Sequence, residues 1–467
     1  MMEQTDLLKG KEVKNVVVLS LSFLLVFTSY TAIQNLQSSL NQAENLGIIS
    51  LSVIYGLFIL SGIMAPVIIG FIGVKKVFLV AWMAHIFYTA SNFYPSFYTL
   101  LPASVLLGAV SGFLWTAQNT YLSICAISKS TPSGSSLYSV LSRMNSIFFV
   151  IFQCTQITGN VTASLVLQQE TDNSTEKGIQ WCGPSDCPSS AGNSTTIAVP
   201  QMRVVYILLG TYLVCTVIGL LATLLFLDSI PTSVYTSGTQ LKVSMTSCGN
   251  ILFRSRLTFL IPLFLYQSTH LTVIWTDFTK SFVSCPLGIR MVGFVMATYG
   301  GSTVLFTFIF GYLAKYCGRV LLFTLAATVN AGSLVYMYVW HPTSDDSLVI
   351  FVVAAVWGMA EGVWETQIIA LVALLLPDNK EAAFANLQTW KGIGFTLTFV
   401  YGTFLCVHVK LLIAIVLLVL GMTLYYGVEI QLKLRTRGAD IDKHVTQNSE
   451  NINGIMFTVQ SVIKHEN

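Results

Sequence analysis

Residues 204–227 read VVYILLGTYLVCTVIGLLATLLFL, an apolar run without a single charge. A helix needs about 20 such residues to cross the hydrocarbon core of a bilayer. The run lacks the period-two alternation of a transmembrane β-strand, and backbone groups in lipid must be paired within the segment. This stretch is therefore predicted to be a transmembrane helix.

Runs of this kind recur along the 467 residues, and twelve in all are predicted. The composition agrees, with 54% hydrophobic and 10% charged residues and a mean hydropathy of +0.70. A soluble chain carries about 25% charged residues. The sequence thus predicts an all-α polytopic membrane protein, and a net charge of +3 is too small to indicate nucleic-acid binding.

A polar stretch at residues 228–256 divides the runs into two groups of six. We expect an N-terminal six-helix half at 15–227, a cytoplasmic linker at 228–256 and a C-terminal six-helix half at 257–432. Short cytoplasmic tails, residues 1–14 and 433–467, flank the halves.

The two halves resemble each other in sequence. Residues 108–118 read GAVSGFLWTAQ and residues 358–367 read GMAEGVWETQ, with the glycines at matching positions. Internal repeats of this sort are typical of secondary transporters. The paired glycines themselves indicate close helix packing.

Lysine and arginine indicate the orientation, because they are enriched on the cytoplasmic side. With the N-terminus inside, 19 of the 24 basic residues lie on the inner side. Both termini are therefore predicted to be cytoplasmic. The five outer basic residues are Lys177, Arg203, Lys280, Arg290 and Lys410.

The longest predicted outer loop, residues 168–202, has the features of a lumenal segment. Asn173 and Asn193 each begin an N-glycosylation sequon. Cys182 and Cys187 lie five positions apart in the same loop, which predicts either a local disulfide or two free thiols in an oxidising compartment. No cysteine spacing indicates a metal site.

Polar residues inside membrane spans are costly and are functional candidates by default. They cluster in the first, fourth, seventh and tenth spans, which indicates a shared polar cavity for substrate or protons. The candidates are Gln34, Asn35, Trp115, Gln118, Asn119, His270, Asp277, Glu361 and Glu365.

Glu361 is the sharpest candidate, since it lies at the middle of the tenth span. A lone carboxylate there tends to take up a proton, and Glu365 one turn away strengthens that tendency. A proton-coupled carrier needs such a group. The alternative is a structural role, with each carboxyl hydrogen-bonded to another helix.

Asp277 and Lys280 are three positions apart near the outer end of the seventh span. We interpret them as a helix-end ion pair that either closes an outer gate or sits in the membrane interface, with substrate binding as the alternative. His270, two turns from Asp277, is either a proton acceptor or a packing residue.

Several stretches resemble known families. The segment Gly311-Tyr-Leu-Ala-Lys315-Tyr-Cys-Gly318-Arg319 resembles the conformational loop of the major facilitator superfamily, although Lys315 stands where that family usually has an acid. Residues 34–40, 275–280 and 358–367 resemble the Unc-ninety-three family. The resemblance implies a major facilitator fold with twelve helices, whose first, fourth, seventh and tenth spans line a central cavity. Members are described as solute-carrier-like proteins, potassium channel regulators or trafficking chaperones of receptors.

Two functional hypotheses follow. The first is a secondary transporter, possibly coupled to protons, that moves an unknown small solute by alternating access. The second is a non-transporting subunit that regulates a channel or helps traffic a receptor. Walker A, H-E-x-x-H and G-x-S-x-G patterns are missing, so neither an enzyme nor a cofactor is expected. We expect the protein in the cell membrane, or in endosomes and lysosomes if Leu7-Leu8 belongs to a sorting signal.

Overall fold

The structure, a computed structural model, describes residues 8, 10–133, 137–168, 181–188, 200–230, 256–375 and 380–434. Within these ranges the regular secondary structure is helical, without a β-strand. The principal helices are α1 (Glu12–Leu40), α2 (Leu46–Ile72), α3 (Val74–Ser91), α4 (Phe97–Ser133), α5 (Leu137–Gln153), α6 (Thr155–Leu167), α7 (Met202–Phe226), α8 (Ile261–Thr272), α9 (Val292–Cys317), α10 (Arg319–Val339), α11 (Ser347–Leu375), α12 (Lys380–Gly402) and α13 (Val407–Leu434).

In the described part of the chain, ten helical segments are long and apolar enough to cross a membrane, and α5 and α6 together contribute one of them. The prediction of an all-helical polytopic membrane protein is therefore confirmed. Helices α3 and α12 lie where the third and eleventh spans were predicted, but they are not among the ten. Both carry lysines within a short apolar length, and for these two the predicted crossing stays a prediction.

The helices run between two ends of the bundle. Asn15, near the start of α1, donates to Asp228 just after α7 over 3.1 Å. In the second half, Arg319 at the start of α10 donates to Glu429 near the end of α13 over 2.7 Å. We call this the terminal end, and we call the opposite end, which carries residues 181–188, the loop end.

The repeated glycines mark places where helix backbones touch. A Cβ atom on Gly112 of α4 would lie 2.2 Å from the backbone nitrogen of Gly62 on α2. A Cβ atom on Gly358 of α11 would lie 2.3 Å from the carbonyl oxygen of Tyr299 on α9. Any side chain at these positions would push the helices apart, so each half packs its fourth helix on its second in the same way.

Two helix pairs join the halves along their length. A Cβ atom on Gly293 of α9 would lie 2.0 Å from the carbonyl oxygen of Asn160 on α6. A Cβ atom on Gly392 of α12 would lie 2.7 Å from the Ile59 side chain of α2. The two halves therefore meet along two helix pairs, α6 with α9 and α2 with α12.

The seventh span differs from its prediction of residues 257–279. The α-helix α8 ends at Thr272, and residues Val273–Ser284 continue as a π-helix. A π-helical stretch is rare and is frequently found at functional sites. At the loop end Ser38 of α1 donates to the Thr276 carbonyl over 3.1 Å, and the hydroxyls of Ser39 and Ser284 are 2.9 Å apart. The π-helical segment therefore closes against α1.

Candidate functional site

Glu361 lies in the middle of α11 with a carboxyl group that faces α8. The residue is 6% exposed, and its Oε2 lies 3.1 Å from His270 Nε2, which is fully buried. Trp357 Nε1 donates to His270 Nδ1 over 3.1 Å. A neutral imidazole with an occupied Nδ1 acceptor carries its own proton on Nε2, so that proton is assigned to the side facing Glu361.

The contact between Glu361 and His270 is close but is not aligned as a hydrogen bond. Glu361 Oε2 and His270 Nε2 are therefore buried polar atoms without a hydrogen-bond partner among the residues that the structure describes. Such atoms are uncommon in native structures and call for an explanation by function or by an added proton, ion or water.

Glu365 lies one turn closer to the terminal end and forms a second, more exposed layer of polar contacts. Gln267 donates to Glu365 Oε2 over 3.2 Å, and Lys391 Nζ lies 3.6 Å from the same oxygen. The Glu365 side chain is 39% exposed. Helices α8 and α11 are thus joined by two layers of polar contacts, of which one is buried and the other is partly exposed.

The two layers together are able to hold and exchange a proton. Lys391 balances the charge of Glu365, whereas Glu361 faces the imidazole of His270. A proton added to the pair of Glu361 and His270 gives either a neutral carboxylic acid beside imidazole or a carboxylate beside imidazolium. Because Glu365 is next along the helix face and is partly exposed, it offers a route for a proton from the buried layer toward the surface.

The polar candidates on α4 separate from one another in the structure. Asn119 is exposed and donates to the Trp115 carbonyl of its own helix over 3.1 Å. Gln118 is fully buried, and neither of its amide atoms has a hydrogen-bond partner within the described ranges. The Trp115 ring packs against Phe27 and Phe152, so it belongs to an aromatic cluster of the N-terminal half.

The candidates on α1 hold helices together. Gln34 donates to the Tyr55 hydroxyl of α2 over 3.4 Å, and Asn35 donates to Asn160 of α6 over 2.9 Å. These contacts stay within the N-terminal half and do not reach Glu361. The structure therefore brings His270 of the seventh span to Glu361 of the tenth and leaves the candidates of the first and fourth spans apart from them.

The predicted ion pair between Asp277 and Lys280 is wrong. Asp277 pairs with Lys410 of α13, and both residues are 5% exposed. Lys280 Nζ lies 3.2 Å from Asp186 Oδ2 in the segment before α7. The two residues lie on a π-helix rather than an α-helix, and each finds a partner from another part of the chain.

The predicted local disulfide between Cys182 and Cys187 is also wrong. Cys182 is bonded to Cys285, just after the π-helical segment, and Cys187 is bonded to Cys406, just before α13. Both disulfides join residues 181–188 to the C-terminal half. His408 lies next to the second disulfide, but a cystine offers no thiolate for a metal ion.

A family profile described as "Ion channel regulatory protein UNC-93" matches residues 40–426. The chain belongs to the UNC-93 family. It is 37% identical over 429 residues to protein unc-93 homolog A of Xenopus laevis, with 90% of this chain and 93% of the relative covered. The Homo sapiens protein of the same name is 36% identical over 427 residues, with the same coverages. A Caenorhabditis elegans protein, unc-93, named as a potassium channel regulatory protein, is 30% identical over 441 residues, 91% of this chain and 62% of the relative.

Solved structures of transporters share the fold of this UNC-93 family chain. A POT family transporter in complex with 5-aminolevulinic acid aligns with a TM-score of 0.62 at 11% identity and covers 89% of this chain and 96% of its own. The D-xylose-proton symporter aligns with a TM-score of 0.60 at 10% identity, over 88% and 96%. The major facilitator fold is therefore confirmed, while identities this low say nothing of the solute.

The predicted conformational loop of the UNC-93 family chain is shorter than expected. Gly311 and Lys315 lie in the last turns of α9, so only Gly318, with φ of 75°, separates α9 from α10. Arg319 then pairs with Glu429. The glycosylation candidates Asn173 and Asn193, and most of the predicted linker, lie outside the described residues.

Four important partners in this UNC-93 family chain were missed from the sequence. Trp357, Lys391, Lys410 and Asp186 complete the pairs described above. Lys391 is the twelfth residue of α12. If the eleventh span were predicted to begin earlier in the sequence, Lys391 would lie inside the membrane, where a charged side chain needs a partner.

Proposed function

We propose that this UNC-93 family protein is a proton-linked secondary transporter of a small solute, working by alternating access between its two halves. The single observation that carries the proposal is the buried contact between Glu361 and His270, with Glu361 Oε2 left without a hydrogen bond. A charge buried without full hydrogen bonding is costly, and uptake of a proton relieves that cost.

The difference between the two ends of the helix bundle supports alternating access. The loop end is closed by contacts such as Ser38 with the Thr276 carbonyl, whereas Asn119 and Glu365 are exposed nearer the terminal end. In this state a solute or proton would reach the site from the terminal end. Protonation biases the exchange between two states only if it is more favourable in one of them.

The test is proton flux in liposomes that contain the purified protein and an internal pH dye. The probes are separate pools of amino acids, nucleosides, sugars and organic amines. We expect one pool to drive acidification by the wild type, with a loss of at least about tenfold in Glu361→Gln, since removal of the carboxyl removes the protonation step.

Ser111→Ala is the matched control, because Ser111 takes the place of Glu361 in the N-terminal repeat. Its hydroxyl donates only to the Leu107 carbonyl of its own helix over 2.7 Å. Flux that persists unchanged in Glu361→Gln would contradict the proposal, as would an equal loss in both variants.

A second candidate function is regulation of a potassium channel, and the family description and the nematode relative's name favour it. The discriminating measurement is potassium current in cells that express a channel with and without this protein. A change in current that Glu361→Gln leaves intact, with no flux in liposomes, would favour the regulatory subunit.

The orientation is part of the same proposal, with both termini in the cytoplasm and glycans on Asn173 and Asn193. The protein would then lie in the cell membrane or, alternatively, in endosomal or lysosomal membranes. A glycosidase-sensitive mobility that disappears in Asn173→Gln with Asn193→Gln is the expected result. Insensitivity of the wild type would contradict this orientation.

A further inference from the structure

Residues 181–188, here called the strap, belong by sequence to the N-terminal half but are fastened to the C-terminal half. Cys182 is bonded to Cys285, and Cys187 is bonded to Cys406. Gly183, with φ of 75°, lies so close to Trp340 and Pro342 that a Cβ atom there would be 2.7 Å from the proline ring. The strap is thus seated on the loop end of the C-terminal half.

Asp186 is the polar centre of the strap and is 3% exposed. Its Oδ2 accepts a hydrogen bond from the Ser281 hydroxyl over 2.6 Å and lies 3.2 Å from Lys280 Nζ. Its carbonyl accepts from the Val407 backbone over 3.0 Å. A carboxylate held between two disulfides therefore binds two neighbouring residues of the π-helical segment.

The π-helical segment is the part of the C-terminal half that closes against α1. Ser38 donates to its Thr276 carbonyl, and Ser39 contacts its Ser284 hydroxyl. Because a long π-helix is rare, contacts with neighbouring elements are needed to hold it. Asp186 supplies two such contacts between Thr276 and Ser284, on the side of the segment that the strap covers.

We propose that the strap is a latch, in which Asp186, positioned by the two disulfides, holds the π-helical segment against α1 and keeps the loop end closed. The inference rests on the proposed function in one respect, since it takes the loop end to open during the transport cycle. Asp186 is a positioning residue here, because it acts through Lys280 and Ser281 rather than on a solute. Its loss shifts the population toward the state that is open at the loop end.

The experiment measures how fast a thiol between the halves reacts with a maleimide. Ile48→Cys places the thiol on α2, at a residue that is 8% exposed and lies 3.6 Å from a Cβ atom built on Gly402 of α12. The five cysteines outside the disulfides, Cys125, Cys154, Cys215, Cys248 and Cys317, are replaced by serine in this background. The protein is labelled as the purified full chain in detergent, without solute.

We expect Asp186→Asn to raise the labelling rate about tenfold, as loss of a hydrogen-bonded charge pair implies. Asparagine has the same shape as aspartate, so the change opens no new space. The matched control is Asp345→Asn, an exposed carboxylate at the same end that lies outside the strap and its contacts. Lys280→Gln removes the same ion pair from the other side and should raise the rate equally.

The latch is overturned if both Asp186→Asn and Lys280→Gln are labelled at the wild-type rate, or if Asp345→Asn rises as much as they do. If Asp186→Asn fails to give a monodisperse protein, Lys280→Gln decides alone. Labelling needs no transported solute, so a negative result leaves the flux experiment standing. Absence of flux likewise leaves the labelling result interpretable.

Discussion

Gly108 in the N-terminal half and Gly358 in the C-terminal half occupy matching repeat positions and have the same packing role, since a Cβ atom on either would collide with a carbonyl oxygen of the neighbouring helix, Ile54 on α2 or Tyr299 on α9. Ser111 and Glu361 also occupy matching repeat positions, but their side chains have different roles. Ser111 bonds within its own helix, while Glu361 faces His270 across two helices. The repeat has kept its packing and changed its chemistry at this position, from a hydroxyl bonded within its own helix to a buried carboxyl group.

The sharpest way to test this contrast is to leave a buried charge unpaired. Lys410→Met leaves Asp277 without its partner, and we expect a loss of about 3–5 kcal/mol in the free energy of unfolding. The measurement is thermal or denaturant unfolding of the purified protein in detergent. The double variant Asp277→Asn with Lys410→Met should recover most of that loss. Equal instability of the single and double variants would show that packing, rather than charge, governs this site.

The packing side of the comparison predicts equal effects in the two halves. Gly108→Ala and Gly358→Ala should each destabilise by about 1–3 kcal/mol, because backbone atoms cannot move away from the new methyl group. Unfolding is measured as before. Gly210→Ala and Gly332→Ala are controls, since nothing lies within 4 Å of a Cβ atom built on either. A large effect in one half alone would break the structural equivalence.

The smallest expected effect concerns the terminal end, where Asp228 follows α7 outside the spanning helices. Partial burial acts to raise the pKa of its carboxyl, but the hydrogen bond from Asn15 and the charges of Lys14 and Lys11 outweigh it and hold the pKa below its usual value. Since the folded pKa lies below the unfolded value of about 3.9, ionised Asp228 stabilises the fold above that pH. This contribution is lost as the pH falls through the folded value.

Asp228→Asn should therefore lower stability slightly at neutral pH and flatten its decline in acid. The effect is small, because Lys14 and Asp228 are 48% and 35% exposed and water screens the pair. Unfolding measured from pH 3 to 7 tests this, with Asp345→Asn as the control. An unchanged acid slope in Asp228→Asn would assign the acid sensitivity to other groups.

Features that depend on neighbours along the chain were predictable. Apolar runs marked the spans, and the glycine pairs marked close packing, because a helix places residues four apart on one face. Glu361 was singled out for the same reason, since its depth in the membrane follows from its place in the run. The sequence also contained the UNC-93 family resemblance that the comparisons confirmed.

Only the tertiary structure decided which groups meet. Asp277 and Lys280 are close in sequence, yet they pair with Lys410 and Asp186, 133 and 94 positions away. Cys182 and Cys187 likewise bond to residues 103 and 219 positions away. Burial makes a charge or thiol take the partner that the packed helices present, and that choice is set by the arrangement of the halves rather than by distance along the chain.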